Sequence, residues 1–197
     1  MKNAKRLIEL STELRMGSDS EAGHPCNRIH GLVDLIERVN IENKIICEIG
    51  CFLGVSTETF ALFNPKELYA IDIWGNNESY TESNWAIDQK EMTWNEIKKA
   101  FNKRVSKYPQ VKTIEKYSRE AVKSFKDNTL DMVYIDGDHT YDFVFNDLNN
   151  WFPKVKEGGF VAGHDHFLSG VSCAVSDFIK NNYKLEVFED TSWLFQK

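Results

Sequence analysis

Glu48-Ile-Gly-Cys-Phe-Leu-Gly-Val-Ser56 carries the end of an apolar run, a turn bracketed by two glycines, and the start of a helical stretch. Lys44-Ile-Ile-Cys-Glu-Ile49 leads into it as a short strand, and Val55-Ser-Thr-Glu-Thr-Phe-Ala-Leu62 leads out of it as a helix. Gly50 and Gly54 let the backbone between them turn tightly and approach a neighbour closely. The same alternation continues outward through Glu67-Leu-Tyr-Ala-Ile-Asp-Ile73, Val111-Lys-Thr-Ile-Glu115, Leu130-Asp-Met-Val-Tyr-Ile135 and Gly159-Phe-Val-Ala162, with amphipathic stretches between them. Strands separated by helices predict βαβ crossovers and an α/β fold whose mostly parallel sheet is covered by helices on both faces. The end breaks this rhythm. Lys184-Leu-Glu-Val-Phe188 and Ser192-Trp-Leu-Phe-Gln196 are joined only by Glu189-Asp190-Thr191, too short for a crossover helix, so an antiparallel C-terminal hairpin at one sheet edge is expected.

A chain of 197 residues suits one domain, and no repeat, low-complexity tract or proline-rich linker divides it. Residues 1–40 read as an N-terminal helical cap, in two helices around Gly17-Ser-Asp-Ser-Glu-Ala-Gly-His-Pro25, with Ile29, Leu32, Val33 and Ile36 at helical spacing; residues 41–197 form the core. The first residues carry basic groups but no continuous apolar segment or small-residue cleavage site, so they read as a helix of the mature protein. No apolar run approaches the roughly 18 residues that a membrane span needs. A formal charge of −6 makes nucleic acid a poor first expectation. Cys26, Cys47, Cys51 and Cys173 contain no CxxC pair, so they read as free thiols in a reducing, cytoplasmic setting rather than as a zinc site. The polar, aromatic segment 74–94 is long for a connection and is the candidate substrate loop, against the plainer reading of a loop packed by its own rings.

In an open α/β sheet, ligands bind beyond the carboxyl ends of the strands. The GxxxG spacing after the first strand is not the dinucleotide GxGxxG and is weak by itself. Glu48 adds a carboxylate that suits a cationic group and would repel a pyrophosphate. Asp72 closes the second strand, where an acid can accept hydrogen bonds from both hydroxyls of a ribose; capping a nearby helix is its structural alternative. Lys116-Tyr-Ser-Arg119 after the third strand could meet an adenine. A nucleoside carrying a positive charge, without a phosphate grip, describes S-adenosylmethionine.

Taken with Asp72, the segments Glu48 to Ser56, Asp131-Met-Val-Tyr-Ile-Asp-Gly-Asp-His-Thr-Tyr141 and Lys156-Glu-Gly-Gly-Phe-Val-Ala-Gly-His-Asp165 resemble class I S-adenosylmethionine-dependent methyltransferases from about residue 30 to 197. The nearest subset is the small O-methyltransferases similar to macrocin O-methyltransferase and, more distantly, catechol O-methyltransferase. The resemblance implies a Rossmann-like, seven-stranded fold. It assigns Glu48 to the methionine amino group, Gly50, Phe52 and Gly54 to the cofactor loop, Ser56 to the methionine carboxylate, Asp72 to the ribose, and Ser118 and Arg119 to adenine.

Asp136 ends the fourth strand and Asp165 follows the fifth. Two carboxylates brought together there would repel unless protonated or bound to a hard divalent cation. In the resembling enzymes such residues hold magnesium at the cofactor's edge, and the expected ligands here are Asp136, His164 and Asp165. An imidazole in the set opens the site to manganese or another transition metal. His166 reads as solvent-facing or supporting. His139 matches the position of the catalytic lysine in catechol-type enzymes, and neutral imidazole can take a hydroxyl proton; metal ligand and helix cap are its other readings. Asp138 and Tyr141 read as loop and packing residues, Asp142 and Asp147 as solvated acids. The expected activity is metal-assisted O-methylation of a small sugar-like or aromatic acceptor, and exposed N-terminal aromatics are compatible with a homodimer. A metal-dependent relative resembling cephalosporin hydroxylase, or a non-catalytic S-adenosylmethionine sensor, are the alternatives.

Overall fold

The computed structural model describes residues 5–10, 29–75 and 92–197. Among these, the strands are β1 (Ile45–Ile49), β2 (Glu67–Asp72), β3 (Val111–Glu115), β4 (Leu130–Ile135), β5 (Val155–Gly163), β6 (Glu186–Val187) and β7 (Trp193–Gln196). They form one sheet in the order β3-β2-β1-β4-β5-β7-β6. The first five run parallel, whereas β7 is antiparallel to β5 and to β6. The helices are α1 (Ile29–Val39), α2 (Val55–Leu62), α3 (Trp94–Val105), α4 (Ser118–Ala121), α5 (Tyr141–Trp151) and α6 (Ser169–Ile179).

The two-residue period of a strand sends alternate side chains to two separate cores. Along β4, Met132 and Tyr134 face one core while Val133 and Ile135 face the other; along β7, Leu194 opposes Trp193 and Phe195 in the same way. The first face is covered by Leu32, Leu35, Ile36 and Val39 of α1 with Phe60 of α2. The second is covered by Val144, Leu148 and Trp151 of α5 with Val171, Val175 and Ile179 of α6. Thus α1, expected as part of a cap, is a layer of the main fold. Residues 5–10 of that expected cap are helical, with Arg6 paired to Glu58 of α2, whereas residues 1–4 and 11–28, Cys26 among them, and most of the 74–94 loop lie outside the described residues.

Strand β5 begins at Val155, earlier than the expected start at Gly159, because pairing with β4 shifts register between Leu130 and Met132 and is carried past the left-handed Gly158. The hairpin strands are shorter than the apolar runs suggested. Helix α3 starts at Trp94 behind a capping box of Thr93 and Glu96, whose side chain accepts from the Thr93 backbone N–H at 2.8 Å. No described helix is long and apolar enough to cross a membrane.

The sheet order reverses direction between β1 and β4, the topological switch point at which ligands of open α/β sheets bind. There the two strand ends touch. Gly50 has φ 84°, and a Cβ on it would lie 2.0 Å from the backbone oxygen of Asp136. Strain in the left-handed region and overpacking against backbone act together, so Gly50→Ala should cost about 3 kcal/mol or more in chemical denaturation. A loss within ordinary surface-substitution range would mean that the two strand ends can separate cheaply.

Candidate active site

The turn after β1 is shaped by carboxylates on either side of it. Asp72, at the end of β2, accepts 2.8 Å hydrogen bonds from the backbone N–H groups of Cys51 and Phe52 through Oδ2, and from Trp74 N–H through Oδ1. It thereby holds Phe52 at φ 43°, a left-handed conformation unfavourable for an aromatic residue. The Trp74 indole N–H donates to the Phe52 carbonyl at 3.0 Å, and its ring packs on Phe101. From the other side Arg104 donates through Nε to the Leu53 carbonyl at 2.8 Å and through Nη1 to Glu58 at 3.0 Å. The loop is therefore fixed by three elements before any ligand arrives.

Glu48 is fully buried beneath this turn. One carboxylate oxygen accepts from the Ser56 hydroxyl, the other from Thr57 Oγ1 at 2.5 Å. Burial pushes its carboxyl up to about 7, and the two hydroxyl donors offset part of that penalty. Glu48 and Ser56, expected to touch the two ends of a methionine moiety, are bonded to each other, and the single hydroxyl proton of Ser56 is committed to Glu48. Cys47 and Cys51 are buried, and burial raises both thiols well above their ordinary range.

Ser118 opens α4 with its hydroxyl donating to Asp147 at 2.5 Å and accepting from the Trp151 indole at 2.7 Å. Asp147 is thus not a solvated acid as its helical position suggested: burial raises it to about 6 while Ser118 works against the rise. Arg119 is exposed and lies over the Tyr117 ring at 4.9 Å. Asp138 caps the turn before α5, accepting from Thr140 N–H at 2.7 Å, so His139 is relieved of that task.

Asp136, His139 and Asp165 converge at the ends of β4 and β5. Each offers a ligand atom within 4.8 Å of the others, the spacing a cation can bridge. His139 Nε2 lies 2.9 Å from Asp165 Oδ2 and 3.7 Å from Asp136 Oδ1. The Nε2 atom is buried, with no hydrogen bond of regular geometry. Burial disfavours the imidazolium, but the two carboxylates outweigh it and hold His139 up at about 10; His139 and His164 together hold Asp165 well below the carboxylate range. A neutral His139 at pH 7, as expected from the sequence, therefore requires that positive charge first offset these carboxylates.

His164, expected among the ligands, stands one step behind the trio. Its Nδ1 lies 3.2 Å from Asp165 Oδ1 and 4.0 Å from Asp136 Oδ1. His166 has a buried Nε2 without a hydrogen bond, and burial lowers its pKa. The sequence reading missed Asp190, whose carboxylate approaches His164 from the terminal hairpin at 3.9 Å; the only local signal was an acid in a three-residue turn.

Comparison with known proteins gives one description of this arrangement. Residues 47–166 match the family model described as a methyltransferase domain. An uncharacterized protein of Sinorhizobium fredii is 27% identical over 125 residues, a match that covers 61% of this chain and 13% of that protein. The O-methyltransferase NovP aligns over 98% of this chain and 79% of its own, with a TM-score of 0.58 at 14% identity. A tRNA methyltransferase, TrmI from Aquifex aeolicus, aligns over 96% and 74% with a TM-score of 0.64 at 12% identity. These structural likenesses are likenesses of fold, shared by a protein named as an O-methyltransferase and one named as a tRNA methyltransferase.

With its pKa raised above the ordinary 6.5, His139 contributes stability that is fully present below about pH 6.5 and lost as pH rises through about 10. In cation-free protein, the His139 ring resonances should titrate above pH 8 by NMR, and His139→Gln should flatten the stability profile between pH 7 and 10. A midpoint near 6.5 would mean that the carboxylates do not face the ring.

Proposed function

This chain belongs to the methyltransferase-domain family, and from that premise we propose that it methylates a hydroxyl of a small acceptor, using S-adenosylmethionine as donor and a divalent cation beside the acceptor. The observation that carries this reading is the convergence of Asp136, His139 and Asp165 at the strand end that Gly50 touches. S-adenosylmethionine supplies an electrophilic methyl on a sulfonium, and the cation supplies positive charge that lowers the pKa of an adjacent hydroxyl.

Each residue then has a task. The Gly50 to Gly54 loop and the start of α2 form the cofactor bed. Asp72 has three acceptor positions engaged by backbone N–H groups and retains capacity for a ribose hydroxyl. Glu48 secures the first turn of α2 from below, so the methionine carboxylate is left to backbone N–H groups there. Phe52 lines the bed, and Ser118 and Arg119 border its adenine end. Asp136 and Asp165 offer hard oxygens to magnesium or manganese, and an imidazole beside them tilts the set toward manganese or another transition metal. Between two carboxylates His139 is a proton carrier. Once their charge is offset, its Nε2 can take the proton from an acceptor hydroxyl held in line with the methyl group. A second role, cation ligand, is favoured by its membership of the three-residue group. The net charge of −6 supports an uncharged, sugar-like or aromatic acceptor over a polyanion, and exposed Tyr141 and Phe167 offer aromatic surface close in sequence to His139 and Asp165.

His139→Ala should lower turnover by about 10²–10⁴-fold with S-adenosylhomocysteine affinity unchanged if the residue is the base. Loss of manganese affinity in the same variant would assign it to the cation instead, and full turnover would remove both roles. Asp72→Ala should weaken S-adenosylhomocysteine binding in calorimetry. Dialysis against a chelator should abolish S-adenosylhomocysteine production, with recovery on adding back single divalent ions; full activity without metal would exclude the cation.

A further inference from the structure

The turn between β6 and β7 contains a buried carboxylate that also faces the site. Asp190 is 2% exposed, and burial raises its carboxyl. It accepts from Ser192 N–H and Ser192 Oγ, both at 2.9 Å, and Ser192 Oγ is in turn 3.1 Å from the Tyr134 hydroxyl on β4. Those bonds close a turn; an asparagine would keep the first through its carbonyl oxygen and the second contact only in reverse, its NH2 donating to Ser192 Oγ. Helix α1 packs directly against this side chain: a Cβ on Gly31 would lie 2.1 Å from Asp190 Oδ1. A buried charge is costly to maintain unless something uses it.

What faces it is His164. The imidazole spans from Asp190 Oδ2, 3.9 Å from Nε2, to Asp165 Oδ1, 3.2 Å from Nδ1. The His164 backbone is itself pinned, its N–H donating to the Ile135 carbonyl at 3.2 Å and its carbonyl accepting from the Trp193 indole at 3.0 Å. Asp165 has φ 55°, a left-handed conformation, and its carboxylate is shared between two imidazoles: His164 at one oxygen, His139 at the other. The orientation of Asp165 thus depends on a ring whose far side faces the hairpin.

We propose that Asp190 is a positioning residue that acts through His164 to aim the Asp165 carboxylate into the cluster with Asp136 and His139. Asp190 touches none of the reacting groups. It fixes the ring that fixes the ligand, so the C-terminal hairpin, remote in sequence from the glycine loop, takes part in setting the site. The proposal rests on the cation reading for its affinity readout only; the arrangement of Asp165 against His139 is a property of the free protein.

Two measurements on wild type, Asp190→Asn, His164→Gln and the double variant test it, with thermal unfolding run alongside to separate loss of fold. The first, independent of any cation, is the ¹⁵N resonance of His139 Nε2 in metal-free protein at fixed pH. Asp190→Asn should shift it, and should produce no further shift in the His164→Gln background. The second is manganese affinity by electron paramagnetic resonance, which should fall about tenfold in Asp190→Asn, the range of supporting residues around metal ligands, with no further loss in the double variant. An unmoved His139 resonance, or additive effects of the two substitutions, would overturn the proposal. Absence of manganese binding in wild type would sink the cation reading while leaving the first measurement decisive. Should Asp190→Asn fail to fold, Ser192→Ala, which removes one of the bonds holding Asp190, should move the same resonance in the same direction.

Discussion

Everything at the functional end of this protein depends on backbone meeting backbone where β1 and β4 end side by side. On one side Gly50 N–H donates to the Ile71 carbonyl of β2 at 2.9 Å, while on the other Asp136 N–H donates to the Ile49 carbonyl at 2.8 Å, so the ends of β1 and β4 remain in register one residue past the formal ladder. A side chain at position 50 would force them apart. With none there, the glycine loop and Asp136 share one edge, and a ligand on the loop is necessarily next to the carboxylate cluster. Proximity of this kind can supply about 7–11 kcal/mol of the barrier to a two-reactant step.

Electrostatic balance forms the second layer. Four carboxylates crowd the ends of β1, β4, β5 and the terminal hairpin: Glu48, Asp136, Asp165 and Asp190. They are distributed between two solutions. Glu48 is neutralised in part by burial and satisfied by hydroxyls, whereas Asp136 and Asp165 together draw protons onto His139 and His164, raising them to about 10 and about 9 against the opposing effect of burial. A cation entering such a cluster replaces protons rather than filling a neutral cavity, which couples occupancy to pH.

The sheet was legible because its signals are local. Alternation in Leu130 to Ile135 and in Trp193 to Phe195 follows from the strand period, and a three-residue link between the last two apolar runs leaves no room for a helix. Long-range pairing was less legible. That Asp136 and Asp165 meet follows from adjacent parallel strands, but the sequence does not show that the Asp165 carboxylate stands between two imidazoles, with His139 at one oxygen and His164 at the other. Asp147 read as a surface acid because helical periodicity does not reveal that Ser118 and Trp151 close over it. Asp190 was hidden for the same reason, as a turn residue whose partner lies on another strand.

The proposed function requires that the cofactor bed and the cation cluster share one edge of the sheet. It is tested most directly by adding manganese to the complex with S-adenosylhomocysteine and following the paramagnetic broadening of the bound ligand's protons. Broadening should be strongest for the methylene protons flanking the sulfur and weakest at the adenine ring. Equal broadening along the ligand, or a maximum at adenine, would contradict the arrangement.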